Sequence, residues 1–104
     1  MKRIIYRSER YLEFTRQQPC IVTGQVPSDP HHAVKGGGMG LKCTDLGCIP
    51  LTRLPHGEVD SRGQKSFQEH YGLDFKDALI INLMKYVCYL EGHNPDDYDW
   101  PLSF

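Results

Sequence analysis

Three of the five histidines fall between Asp29 and Asp60, and their order is the strongest chemical signal in the chain. Asp29-Pro30-His31-His32 sets two imidazoles side by side. A glycine-rich run, Gly36-Gly37-Gly38-Met39-Gly40, follows; then come Asp45-Leu46 and an apolar segment to Leu51, with His56 and Asp60 beyond it. Positions i and i+4 share one face of a helix, so His56 and Asp60 can hold one divalent ion between them. The histidine pair can complete that site from a strand. An ion held by only three protein groups keeps open positions, and as a Lewis acid it relieves charge on a phosphodiester undergoing attack. A fourth group, an imidazole neutral near pH 7, can take the proton from the attacking water. The set therefore points to metal-dependent phosphodiester cleavage. The bland alternative is that paired histidines satisfy backbone groups and that His56 and Asp60 make a surface pair; the joint order, with the glycine loop between, favours the site.

Those residues need elements to hold them. Ser8 to Pro19 reads as a short helix with Ser8 as N-cap and Pro19 as stop. Cys20 to Val26 reads as a strand with a tight turn at Gly24. His31 and His32 continue as strand through Ala33 and Val34, and Asp45 to Leu51 supplies the returning strand. Consecutive strand residues face opposite sides, so both histidines serve one site only if the strand twists or bulges after Pro30; their roles could be exchanged. Leu54, Pro55 and His56 open a short helix that Gly63 ends, and Ser66 to Gly72 reads as another. From Phe75 to Leu90 apolar residues recur at helical spacing, with Phe75, Leu79, Leu83, Val87 and Leu90 as the expected buried stripe. His70 is expected on the surface.

A chain of 104 residues, 39% apolar, supports one domain with one small core. No stretch of 18 apolar residues occurs, and Met1 to Tyr6 lacks the apolar region of a signal peptide, so the expectation is a soluble, cytoplasmic protein without a membrane segment. The net charge of −1 hides an asymmetry: residues 1–65 carry +4 and residues 66–104 carry −5. The candidate site lies in the basic part, where a polyanion such as DNA can be attracted. Lys35, Lys42, Arg53 and Arg62 are the candidate phosphate contacts. Cys20, Cys43, Cys48 and Cys88 form no C-x-x-C pair and read as reduced thiols.

Taken together, Tyr11-Leu12-Glu13-Phe14, Gln18-Pro19-Cys20, Ser28-Asp29-Pro30-His31-His32, Gly38-Met39-Gly40-Leu41-Lys42, Asp45-Leu46, Ile49-Pro50-Leu51, His56, Asp60 and Ser66-Phe67-x-x-x-Tyr71-Gly72 resemble the ββα-metal, HNH-type endonucleases. Within them, the resemblance is to phage and prophage relatives of the Ref recombination nuclease. It implies an α+β domain with a ββα-metal, treble-clef-like core over about residues 19–64, an N-terminal helix, a supporting C-terminal helix over about 75–91 and an acidic aromatic tail at 94–104. By position, His31, His56 and Asp60 resemble the metal ligands, His32 the general base, and Asp45 the middle residue, usually Asn, that organises the loop. The implied cofactor is one divalent ion, Mg²⁺, Mn²⁺, Zn²⁺ or Ni²⁺. Many relatives also carry a structural zinc; the matching positions here are Cys20, Thr23, Thr52 and Pro55, one credible ligand, so that zinc is expected to be absent. The implied activity is a DNA endonuclease of low sequence specificity in a recombination or DNA-processing context, with DNA and a recombination protein as candidate partners. The alternatives are a catalytically impaired HNH-fold DNA-binding or recombination-accessory protein, and an interaction module using the tail. Oligomeric state is left open.

Overall fold

The computed structural model describes residues 3–33 and 43–100; Lys35, Lys42 and the glycine run lie outside the described residues. Among the described residues the elements are four α-helices, two 3-10 turns and one two-stranded sheet, an α+β arrangement. Ser8 starts α1 (Glu9–Arg16) as expected, its Oγ accepting the Tyr11 N–H at 3.1 Å.

The stretch from Cys20 to Val26 is not the expected strand. Cys20 Sγ accepts the N–H groups of Val22 and Thr23, and the Gly24 N–H donates to the Cys20 carbonyl at 2.8 Å. Side-chain-to-backbone bonds of this kind close a turn and leave no ladder donors for a strand. Gly24 sits at φ +72°, a conformation that costs glycine nothing.

β1 (Asp29–His32) pairs antiparallel with β2 (Cys48–Leu51), His31 opposite Ile49 and His32 opposite Cys48. Pro30 faces Pro50, so the two residues that lack an N–H share one rung of the ladder. β1 stops at His32, with Ala33 already outside it and Val34 outside the described residues, and Asp45–Gly47 is a 3-10 turn leading into β2, not part of the strand. In that turn Thr44 Oγ1 caps the Leu46 N–H.

Every residue of β2 is buried, which suits its unbroken Cys-Ile-Pro-Leu run. Ile49 and Leu51 join Val59, Phe67, Phe75 and Ala78 in one cluster, while Cys48 joins Tyr11, Phe14 and Tyr86 in the other. Two helices follow β2. α2 (Arg53–Arg62) and α3 (Gln64–Tyr71) meet at Gly63, whose φ of +86° turns the corner. α3 starts at Gln64, so Ser66, the expected start of this helix, lies inside it.

α4 (Phe75–Leu90) has the expected bounds, capped by Asp74, whose side chain accepts the Lys76 and Asp77 N–H groups. Its buried face differs from the expected one. Phe75, Ala78, Ile81, Asn82 and Tyr86 point inward, whereas Val87 and Leu90 are exposed. The helix is apolar nearly all round, so periodicity leaves its rotation open, and Asn82 settles it. Its amide donates to Tyr11 Oη at 2.8 Å, Thr15 Oγ1 at 3.1 Å and the Cys48 carbonyl at 3.4 Å. Burying that amide unpartnered would cost about 1–3 kcal/mol. Beyond α4, Pro95 is buried and the Trp100 indole donates to its carbonyl at 3.0 Å, so the tail folds back on itself.

Candidate metal centre

His31 and His32 are adjacent on β1, and the strand turns them to different neighbours. His31 is buried, its ring 4.8 Å from the His56 ring, edge to face, and 5.7 Å from the Phe75 ring. α2 carries His56 to this point because it packs on β1 directly after the β2 return. Two imidazoles from separate elements thus meet in a half-buried place beside an aromatic wall. Imidazole nitrogens are ligands for borderline divalent cations, so the two rings are candidates for two of a metal's ligands.

His32 lies on the other side. Its Nε2 stands 3.6 Å from Asp45 Oδ1, and its side chain is 43% exposed, enough to meet solvent and substrate. Asp45 is buried and held from two directions: the Ser8 N–H donates to Oδ2 at 2.8 Å, and Arg7 NH1 donates to Oδ1 at 3.1 Å. Burial alone would raise the Asp45 pKa, but the Ser8 N–H and the Arg7 guanidinium outweigh it and hold the carboxyl below its ordinary value. A fixed anion beside Nε2 orients the ring.

Gln64, which motif reasoning missed, joins the two sides. Its Nε2 donates to the His32 carbonyl at 3.3 Å and lies 3.5 Å from His31 Nε2. Nothing in the sequence pattern marks it, because only the Gly63 corner brings the start of α3 to β1. Asp60 is exposed, one turn after His56 on α2. Among the described residues no three His, Cys, Asp or Glu side chains stand close enough to share an ion, so Asp60 does not close a three-ligand set in this conformation. Of the candidate phosphate contacts, Arg53 is exposed and Arg62 lies 3.7 Å from Glu58 on its own helix. His70 is exposed, against Tyr71.

Three of the four positions matched to a structural zinc come together. Cys20 Sγ accepts the Thr52 N–H at 3.3 Å and the Thr52 hydroxyl at 3.4 Å, and Thr23 Oγ1 lies 3.3 Å from Thr52 Oγ1. Pro55 is buried at the start of α2. Thr52 is the N-cap residue of α2 yet makes no side-chain cap bond, because its hydroxyl is turned to the sulfur. Burial pushes the Cys20 thiol up, but bonds from Thr23 and Thr52 outweigh it and bring it down to about 7. A hydrogen-bonded knot thus ties the turn after α1 to the start of α2.

The family described as "Protein of unknown function (DUF968)" matches residues 1–90. The chain is also similar to "Uncharacterized protein YdfU" of Escherichia coli (strain K12), 37% identical over 73 residues, which are 68% of this chain and 21% of that protein. The chain therefore spans about a fifth of the length of that curated relative. No solved structure matches it.

Proposed function

The chain belongs to the DUF968 family, and we propose that it is a divalent-metal-dependent DNA endonuclease with a ββα-metal, HNH-type site. The observation that carries this reading is the division of labour across β1: His31 meets His56 on one side while His32 meets a charged, pinned Asp45 on the other. A hydrolytic site needs one set of groups for a cation and another for proton transfer, both within reach of one phosphate; β1 keeps its register with β2 through His32 without a bulge, so the phosphate would have to bridge the end of the strand, where Gln64 reaches both residues.

His31 and His56 would hold the ion, with Asp60 as the third ligand after a side-chain rotation that its exposure permits. When bound, the ion supplies Lewis-acid relief for the phosphate and the departing 3′ oxygen. His32, its side chain 43% exposed, would accept a proton from water, and Asp45 would steady the ring and the charge it gains. Gln64 fixes the β1 carbonyl between the two halves and keeps the His31 ring in place. Arg53 and Arg7 are both exposed and would meet phosphates.

The open three-ligand set favours a second reading, an accessory DNA-binding protein that keeps the fold without cleavage. Nicking of supercoiled plasmid with Mn²⁺ or Mg²⁺ separates the two. The endonuclease reading expects metal-dependent nicking by the parent chain and its loss in His32→Ala. A parent that binds DNA but never nicks it leaves the accessory reading in place.

A further inference from the structure

The outward face of α4 has an order of its own. Lys76, Ile80, Met84, Val87 and Glu91 succeed one another at spacings of three and four, so they line one side of the helix, opposite the face keyed by Asn82. Ile80 is 48% and Val87 53% exposed. One exposed aliphatic residue needs no explanation, but an apolar stripe bounded by charges is another matter.

This stripe is self-complementary. Ile80 and Val87 lie equally far from a midpoint between Leu83 and Met84, and Lys76 and Glu91, of opposite charge, lie equally far beyond them. A two-fold axis through that midpoint, with the helices antiparallel, sets Ile80 against Val87 of the partner subunit and Lys76 against Glu91 of the partner subunit, each twice. A parallel pairing would instead oppose Lys76 to Lys76 and Glu91 to Glu91. Antiparallel helices also align their dipoles favourably. Neither Lys76 nor Glu91 makes an ion pair with another described residue, so both are available at the ends of the stripe.

The geometry points to a homodimer in which α4 packs against α4 of a second copy, two-fold and antiparallel. A 16-residue helix is roughly 24 Å long. One such pair buries less than a standard stable interface, so the dimer is expected to be weak. The inference does not rest on the endonuclease reading.

Sedimentation equilibrium of the chain from about 5 to 500 μM tests it. The parent should approach the mass of two chains at the upper end, and Val87→Lys should stay monomeric. Lys76→Glu and Glu91→Lys should each raise the dissociation constant about tenfold, since each creates two like-charge contacts, and the combined variant should return to within about threefold of the parent. Unchanged far-UV circular dichroism and melting would show that the variants are folded. A parent that is monomeric throughout, or a combined variant no tighter than either single one, overturns the proposal.

Discussion

The Asn82 amide lies 2.8 Å from the Tyr11 hydroxyl, which donates in turn to the Cys48 carbonyl at 2.8 Å. Cys48 is the β2 partner of His32, so this chain of bonds runs from α4 through α1 to the strand beside the candidate base. Burial pushes the Tyr11 phenol up to about 12, which keeps it a donor at any ordinary pH. Asn82→Leu preserves volume but leaves the Thr15 hydroxyl and the Tyr11 oxygen one donor short. The expected cost is about 2–3 kcal/mol. Tyr11→Phe should cost about 1–2 kcal/mol, and the double variant less than the sum, because both act in one network. Urea denaturation of the four proteins checks this; additive losses would mean that the two groups work independently.

The same amide explains why some of the fold is legible in the sequence and some is not. The bounds of α4 follow from the Asp74 cap and the apolar run after it. Its rotation does not, because Leu79, Ile80, Leu83 and Val87 offer as good a face as the one buried, and a single polar residue decides. The strand expected after Pro19 fails for a local reason, since the Cys20 sulfur captures the N–H groups a strand would need. At the site, the meeting of His31 with His56 is implicit in the strand, return, helix order. The hold of Ser8 and Arg7 on Asp45, and the reach of Gln64 to His31, arise only when α1 and α3 pack, and no spacing announces them.

Asp45 is expected to act through His32 rather than on substrate. Asp45→Ala removes the acceptor of two donors and the charge beside the imidazole, and should lower plasmid nicking by about 10²-fold with DNA binding retained. Asp45→Asn keeps an oxygen for the Ser8 N–H but turns an N–H donor toward Arg7 and the imidazole, so nicking should fall about as far as in Asp45→Ala. A mobility-shift assay beside the nicking assay distinguishes these losses from failure to bind. Nicking by Asp45→Asn within about tenfold of the parent would show that His32 does not need the carboxylate.

The His31 and His56 rings are expected to bind a divalent ion as a pair. Calorimetric titration with Ni²⁺ or Zn²⁺ should show one site, weakened about 10–100-fold by His31→Ala or His56→Ala and unaffected by His70→Ala. Asp60→Ala should weaken it less, because the carboxylate stands outside the pair. Binding unchanged by either histidine substitution would remove these rings from any metal site.

The Cys20 knot makes stability depend on pH in a defined direction. The thiol sits at about 7 in the fold against an ordinary value of 9.0, so the folded state favours the thiolate. For an acid lowered in this way, stabilisation is complete above the unfolded value and disappears as pH falls through the folded one. Cys48 opposes it at higher pH: burial first, then the nearby Asp45 charge, pushes that thiol up to about 12, so stability declines once unfolded chains ionise there. Between pH 7 and pH 8.5 the first effect should dominate, raising stability by about 1 kcal/mol. Cys20→Ala should flatten that rise, and Thr52→Val, which removes one hydroxyl donor, should shift it to higher pH. Chemical denaturation at the two pH values measures it. A parent whose stability falls over this interval would mean that Thr23 and Thr52 do not hold Cys20 as a thiolate.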